Sequence, residues 1–252
     1  MSVSLKGLAL TLTVGLGLTG CAVVPPNSGD NPKDPLETIN RQTHALNMTL
    51  DEYVLHPVAQ GYVDYVPEPV RDSVHNFYSN LREPRNAINN LLQGKGADSA
   101  VSVARFLINS TVGIVGLFDV ASYMNLEHAP EDFGQTLGKW GVPAGPYIVW
   151  PLLGPSTLRD TVGYPFDVAA DPSTYLYWGE SDLVPYSLAQ GALYVIDMRA
   201  GLLATDAMLA TAVDPYVAVR EAYLQNREFS VYDGNPPLIF PEDDFGDEDF
   251  DE

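Results

Sequence analysis

The chain has 252 residues, with 13 Lys+Arg against 33 Asp+Glu and a net charge of −20. That length suffices for one domain with a sizeable core, and so acidic a surface repels nucleic acid, which excludes that class of partner. The single cysteine, Cys21, excludes an intramolecular disulfide, so folding rests on packing alone.

Residues 1–20 read as an export signal: one cation, Lys6, then an uncharged apolar run over 7–18. Such a run suits a signal sequence and is too short to span a bilayer as a helix. It ends in Leu18-Thr19-Gly20-Cys21, which resembles a bacterial lipobox: small residues lie extended in a peptidase cleft and the cysteine sulfur accepts lipid. Each buried methylene contributes ~0.8 kcal/mol, so one acyl chain anchors marginally and several anchor permanently. Ala22 stands where Asp would signal inner-membrane retention, so the expected destination is the outer membrane. Residues 21–33 read as a flexible tether, 34–229 as one helical domain, and 230–252 as an acidic disordered tail.

Asp34-Pro35-Leu36-Glu37 opens the structured part, with Asp34 predicted to cap the first helical amides and Glu37 to complete a box-like pattern. Val70, Val74, Phe77 and Leu81 form an amphipathic stripe, which Ile88, Leu91 and Leu92 continue after a break predicted at Pro84. From Ser187 to about Val213 the period gives a longer helix interrupted by Gly201. Asp214-Pro215 then opens a last helix to about Arg227. Period-two alternation and hairpin dipeptides are almost absent, so the fold class is mainly α with Gly/Pro-rich irregular segments.

Two segments differ from an ordinary soluble core. Residues 106–118 are uncharged and bracketed by Arg105 and Asp119. As a helix they would be roughly 20 Å long against a hydrocarbon core of about 30 Å, which suits either a buried core helix or one lying in a single leaflet. Residues 134–163 are rich in Gly and Pro yet carry Trp140, Val142, Tyr147, Ile148, Val149 and Trp150, with Lys139, Arg159 and Asp160 as their only charges. Such a backbone lines a wet or protein-packed membrane cavity, or forms a long functional loop on a soluble domain.

Catalytic and metal signatures are sparse. His44, His56, His75 and His128 fit no ligand spacing, and Glu127-His128 near Glu131 and Asp132 reads as solvated loop charge. Gly154-Pro155-Ser156-Thr157-Leu158 lacks the second glycine of a nucleophile elbow. No cofactor is implied.

Five stretches recur in a familiar order. They are Asp34-Pro35-Leu36-Glu37 with Asn40-Arg41 and Asn47; Asn80-Leu81-Arg82-Glu83-Pro84 with Asn89 and Leu91-Leu92-Gln93-Gly94; and Arg105-Phe106 with Asn109-Ser110-Thr111, Gly113, Gly116 and Asp119-Val120-Ala121. Then come Glu131-Asp132-Phe133-Gly134-Gln135-Thr136-Leu137-Gly138 with Trp140-Gly141, Gly145-Pro146-Tyr147, Pro151 to Ser156 and Arg159-Asp160, and finally Asp214-Pro215-Tyr216 with Arg220-Glu221-Ala222-Tyr223. Together they resemble the MlaA (VacJ) family of outer-membrane lipoproteins over residues 34–229.

The resemblance implies a ring-like set of amphipathic interfacial helices in the inner leaflet of the outer membrane, reached from the periplasmic face, beside a trimeric porin. An amphipathic channel through the ring would take mislocalised phospholipid from the outer leaflet to a soluble periplasmic carrier, maintaining lipid asymmetry without a covalent step. Polar groups inside the apolar stretches mark the expected lipid path: Arg105, Asn109, Ser110, Thr111, Gly134, Lys139, Trp140, Gly145, Tyr147, Arg159 and Asp160. Asn40, Arg41 and Asn47 mark an expected N-terminal gating segment. The competing expectations are a lipoprotein phospholipid acyl hydrolase and a structural envelope scaffold.

Overall fold

The computed structural model describes residues 25–176 and 184–237; Cys21, the export signal and the acidic residues from 238 onward lie outside the described residues. The chain is mainly helical. Helix α1 (Glu37–Leu50) runs through a π-turn (Asp51–Leu55) into α2 (His56–Tyr65). The π-turn has a local cause: Pro57 has no N–H for the carbonyl of Tyr53, and the His56 N–H reaches back five residues to Asp51. Arg199 locks that turn from outside, its Nε and Nη2 donating to the two Asp51 oxygens at 2.6 and 2.9 Å.

Val66, extended before Pro67, ends α2. Helix α3 (Glu68–Leu92) follows, then α4 (Gly96–Thr111), the short α5 (Val120–Tyr123) and α6 (Phe133–Lys139). Strands β1 (Tyr147–Trp150) and β2 (Gly154–Thr157) form an antiparallel hairpin with Tyr147 opposite Thr157 and Trp150 opposite Gly154. Next come α7 (Leu158–Ala170), α8 (Ser173–Leu176), α9 (Val184–Gly201), a 3-10 turn (Leu203–Thr205), α10 (Asp206–Ala210) and α11 (Pro215–Val231). The packing closes on itself: α3 meets α9, α9 meets α2, α1 meets the hairpin, the hairpin meets α11, and α11 meets α6, which returns to α3.

Several expectations hold and several are corrected. Asp214 caps α11 by accepting from the N–H groups of Tyr216 and Val217, and α9 ends at Gly201. The last helix continues to Val231, and Asp233 is tied back to Lys95 and Lys139. Asp34 is no helix cap. The helix begins three residues later, leaving the carboxylate free to turn inward and accept from Asn40, Tyr216 and Arg220. Pro84 does not break the chain; α3 carries it internally. The hairpin departs from the expectation of almost no strand: β1 alternates in burial, but the glycine and proline on its flanks mask that period in the sequence.

Residues 106–118 are only half helical. Helix α4 stops at Thr111, and Ile114, Val115 and Gly116 turn in succession through the left-handed region, at φ 54°, 57° and 88°. Two β-branched residues there store strain. Of the two expectations for this segment, burial in a core is the one that fails: Val112 is 67 % exposed and Val115 61 %.

That exposure is general. Among the described residues, Asn, Asp, Glu, Arg and Thr dominate the buried positions, while long apolar side chains dominate the exposed ones. The α3 stripe shows it plainly. Val70, Ile88, Leu91 and Leu92 face out, whereas Asn80, Glu83, Asn86, Asn89 and Asn90 face in. Water-soluble domains place these classes the other way. A small apolar cluster remains, with Tyr147, Val149 and Tyr216 packed under Val217, Tyr223 and Leu224. No described helix is long and apolar enough to cross a membrane.

Asn40 and Asn47, two turns apart on α1, grip the outer edge of β1 in place of a third strand. Asn40 donates to the Tyr147 carbonyl at 3.0 Å and accepts from the Val149 N–H at 2.9 Å; Asn47 does the same with Trp150 and Leu152 at 2.9 and 2.8 Å. Asn40→Leu leaves a buried carbonyl, an N–H and Asp34 short of partners, so a loss of about 2–4 kcal/mol is expected. Chemical unfolding of the detergent-solubilised protein measures it; a change below ~0.5 kcal/mol would refute this clamp.

Candidate functional site

The interior is held by charged nodes. On α4, Arg105 donates from Nε to Glu83 at 2.7 Å, from Nη2 to both Asp119 oxygens, and from Nη1 to Ser122 and the Leu126 carbonyl. His128 Nδ1 lies 2.8 Å from the same Glu83 oxygen. Burial alone would raise the Glu83 pKa, but the hydrogen bonds from His128 and Arg105 hold it below its ordinary value. Asn109 donates to Asp119 at 2.9 Å and accepts from the Ala121 N–H, and Asn80 donates to Ser110. Thr111 turns back to the Leu107 carbonyl.

A second node joins α6, α7 and α11. Arg227 bridges Asp132 (2.6 and 2.9 Å) and Asp160 (3.0 and 2.7 Å), and Tyr223 adds its hydroxyl to Asp160. Burial would raise the Asp132 carboxyl, yet Arg227 holds it down to about 2. Gly134 is required here, because a Cβ would lie 2.4 Å from Asp160 and 2.8 Å from Arg227. Arg159 is paired with Asp160 at 3.3 Å. Lys139 reaches Asp233 at 3.3 Å, and the Trp140 indole N–H donates to the Leu92 carbonyl at 3.1 Å. Arg41 lies between Glu37 and Asp214 and stacks 4.4 Å over the Tyr216 ring.

Of the charges near 127–132, Glu127 is exposed as expected, but Glu131 and Asp132 are not solvated loop charge. Glu131 accepts from Gln93 and from Lys95, each at 2.7 Å, and Asp132 caps α6 through the Gln135 N–H. Among the described residues no group of three or more His, Cys, Asp and Glu is placed to hold a metal. The Ser156 hydroxyl meets the Thr157 carbonyl and the Thr161 hydroxyl.

Between α3, α7, α8 and α9 the helices leave a cavity of about 220 Å³. Tyr78, Arg82 and Arg85 form one wall, Tyr164, Asp167 and Asp171 the opposite one, and Gln190 with Tyr194 the third, with Leu81 and Val168 at the apolar edge. None of the residues expected on a lipid path lines it. Gly145 and Arg159 instead line a hollow of about 570 Å³ beside α11, and Arg41 one of about 470 Å³ beside His44 and Met48. The arginines of those larger hollows already serve carboxylates, whereas the Arg85 Nε is buried without a partner. That difference makes the smaller cavity the candidate site. Its only sequence signal is the spacing of Tyr78, Arg82 and Arg85, four and three residues apart, which reads as a solvated helix face.

Asp167 accepts from the Phe133 N–H at 2.9 Å and from Asn89 at 3.3 Å. Burial, then the charge of Asp132, push its carboxyl up to about 6.

A family model described as MlaA lipoprotein matches residues 32–230. The chain is 39 % identical over 236 residues to the intermembrane phospholipid transport system lipoprotein MlaA of Escherichia coli (strain K12), covering 91 % of this chain and 89 % of that one. The corresponding Haemophilus influenzae protein is 36 % identical over 238 residues, with 91 % and 92 % covered. A solved structure titled "Structural basis for maintenance of bacterial outer membrane lipid asymmetry" matches with a TM-score of 0.67 and 40 % identity, over 79 % of this chain and 98 % of that chain.

Because the folded state holds the Asp167 proton more tightly than the unfolded chain does, this group's contribution is full below about pH 4 and is lost as pH rises through about 6. Asp167→Asn removes that loss. Relative to the parent, its stability should rise on the order of 2 kcal/mol between pH 4 and 7.5. Thermal unfolding in detergent across that range tests this, and a constant offset would contradict it.

Proposed function

The chain belongs to the MlaA lipoprotein family, and on that footing we propose that it removes phospholipid misplaced in the outer leaflet of the outer membrane and delivers it to a soluble periplasmic carrier. The observation that carries this reading is the inverted partition, with an apolar exterior, a polar interior and a charged cavity between helices. A headgroup crosses such a body through its polar interior while its acyl chains stay against the apolar side, so no covalent step is needed.

In this reading Cys21 carries the lipid anchor, and the exposed apolar helix faces lie in the inner leaflet, where a trimeric porin supplies a neighbouring surface. The helices form a ring, in keeping with their closed circuit of contacts. Arg105, Asn109, Ser110, Gly134, Arg159 and Asp160 hold that ring together. Asn40, Arg41 and Asn47 fix the first helix to the hairpin and to α11, so any gating motion there carries the hairpin with it.

Deleting the gene should raise outer-leaflet phospholipid several-fold, read by labelling intact cells with a membrane-impermeant amine reagent. The full chain should restore the low level, and Cys21→Ser should not, fractionating away from the outer membrane. Unchanged surface lipid on deletion would favour a scaffold. Fatty acid released from phospholipid by the purified protein would favour a hydrolase.

A further inference from the structure

In a chain of net charge −20, cations without carboxylate partners are conspicuous. Arg41, Arg105, Arg159, Arg199, Arg220 and Arg227 all lie in ion pairs. Arg71, Arg82 and Arg85 have none among the described residues. All three sit on α3, and their spacing of eleven and three residues puts them on one face. Two of them line the cavity. Arg82 is held in place by a neutral group, donating to the Tyr194 hydroxyl at 3.2 Å with its guanidinium 5.6 Å from that ring's centre.

The opposite wall carries negative charge in the same state. Asp167 uses one oxygen for Asn89 and Phe133, and Asp171 uses one for the Ser173 N–H at 2.8 Å. The second oxygen of each has no donor among the described residues. Arg85 is near enough to Asp167 to pull its pKa down, yet the two do not pair. Two guanidiniums thus face two carboxylates across a space of about 220 Å³ without closing on each other. An occupant bearing both signs satisfies all four groups at once.

We propose that this cavity is a recognition site for zwitterionic phospholipid headgroups, in which Arg82 and Arg85 bind the phosphate and Asp167 with Asp171 bind the ammonium. The assignment rests on the transport reading above and adds the substrate class. Guanidinium donors match phosphate oxygens in pairs, and Tyr78, Tyr164 and Tyr194 give an ammonium aromatic faces beside the carboxylates. Leu81 and Val168 add apolar lining, and Val168 is exposed, so acyl chains can continue toward the apolar exterior. A glycerol headgroup offers the carboxylates only neutral hydroxyl donors and no cation, beside a net anionic lipid.

The test is calorimetric titration of the full-length protein in detergent with short-chain phosphatidylethanolamine, short-chain phosphatidylglycerol and inorganic phosphate. Phosphatidylethanolamine should bind about ten-fold more tightly than phosphatidylglycerol. Arg82→Gln with Arg85→Gln should weaken both lipids, and the lysine pair should recover part of the loss. Asp171→Asn, which still accepts from Ser173, should bring the two lipids toward equal affinity while phosphatidylglycerol binding persists. Equal affinities in the parent protein, unchanged binding in the glutamine pair, or displacement of lipid by inorganic phosphate at equal concentration would each overturn the site. In cells, failure of the glutamine pair to restore low surface phospholipid at normal protein level supports it. Full restoration would overturn the site and leave the transport reading standing, since deletion of the gene tests that separately.

Discussion

The structure depends on charge buried against charge. Arg105 with Glu83 and Asp119, Arg227 with Asp132 and Asp160, and Arg220 with Asp34 each join segments far apart in sequence. Removing one partner of such a pair costs about 3–5 kcal/mol, because the other is left buried and uncompensated. Burying ions is a poor way to stabilise a protein in water, where a well-packed apolar core does better. Where the surroundings are hydrocarbon, apolar side chains gain nothing by turning inward, and polar contacts decide which helices meet. In the proposed membrane setting, the chain's partition of residues follows from that change of solvent.

Asparagine performs the finer positioning. A side-chain amide presents an NH2 donor and a carbonyl acceptor at the spacing of a peptide group, so it can stand in for a strand edge or a loop partner. Asn40 and Asn47 do this for β1, and Asn109 does it between Asp119 and the Ala121 N–H. Asn90 and Asn86 divide the task on the 129–131 segment, Asn90 donating to the Ala129 carbonyl and Asn86 accepting from the Glu131 N–H. Directional bonds of this kind fix orientation as well as proximity, which a rim of opposed charges around a small cavity requires.

The sequence shows the stripes without showing which side faces in. Val70, Val74, Phe77 and Leu81 mark an amphipathic helix correctly, but periodicity is the same whether the apolar face meets a core or a lipid. Local signals survive the inversion: Asp214 caps its helix and Gly201 ends another, because capping and backbone freedom do not depend on the surroundings. Long-range roles were hidden. Asp34 resembles a cap until Arg220 arrives from 186 residues away, and Asp132 resembles loop charge until Arg227 does. The significance of Arg82 and Arg85 is a missing carboxylate, which only the folded arrangement reveals, and the Arg85 Nε is buried without a partner.

The segment after α4 shows how an irregular backbone can be presented to lipid. The constraint inside hydrocarbon is that every peptide group be satisfied, not that it be helical. Residues 112–118 meet it mostly against the end of α4: Val112 and Gly113 donate to Ile108, Val115 to Ser110 and Gly116 to Asn109, while Leu117 donates to Ile114 and Phe118 to Gly113 within the segment. The left-handed Ile114 and Val115 bend the chain so that these bonds form, and Gly116 is required because a Cβ there would lie 2.7 Å from that of Asn80. The strain leaves Val112, Ile114, Val115 and Phe118 pointing outward from a loop anchored underneath by Asn80, Asn109 and Asp119. A helix would distribute those side chains around its axis, burying some against the polar interior. The turn gathers them on one surface, as the proposed placement in a single leaflet requires and a soluble core would not.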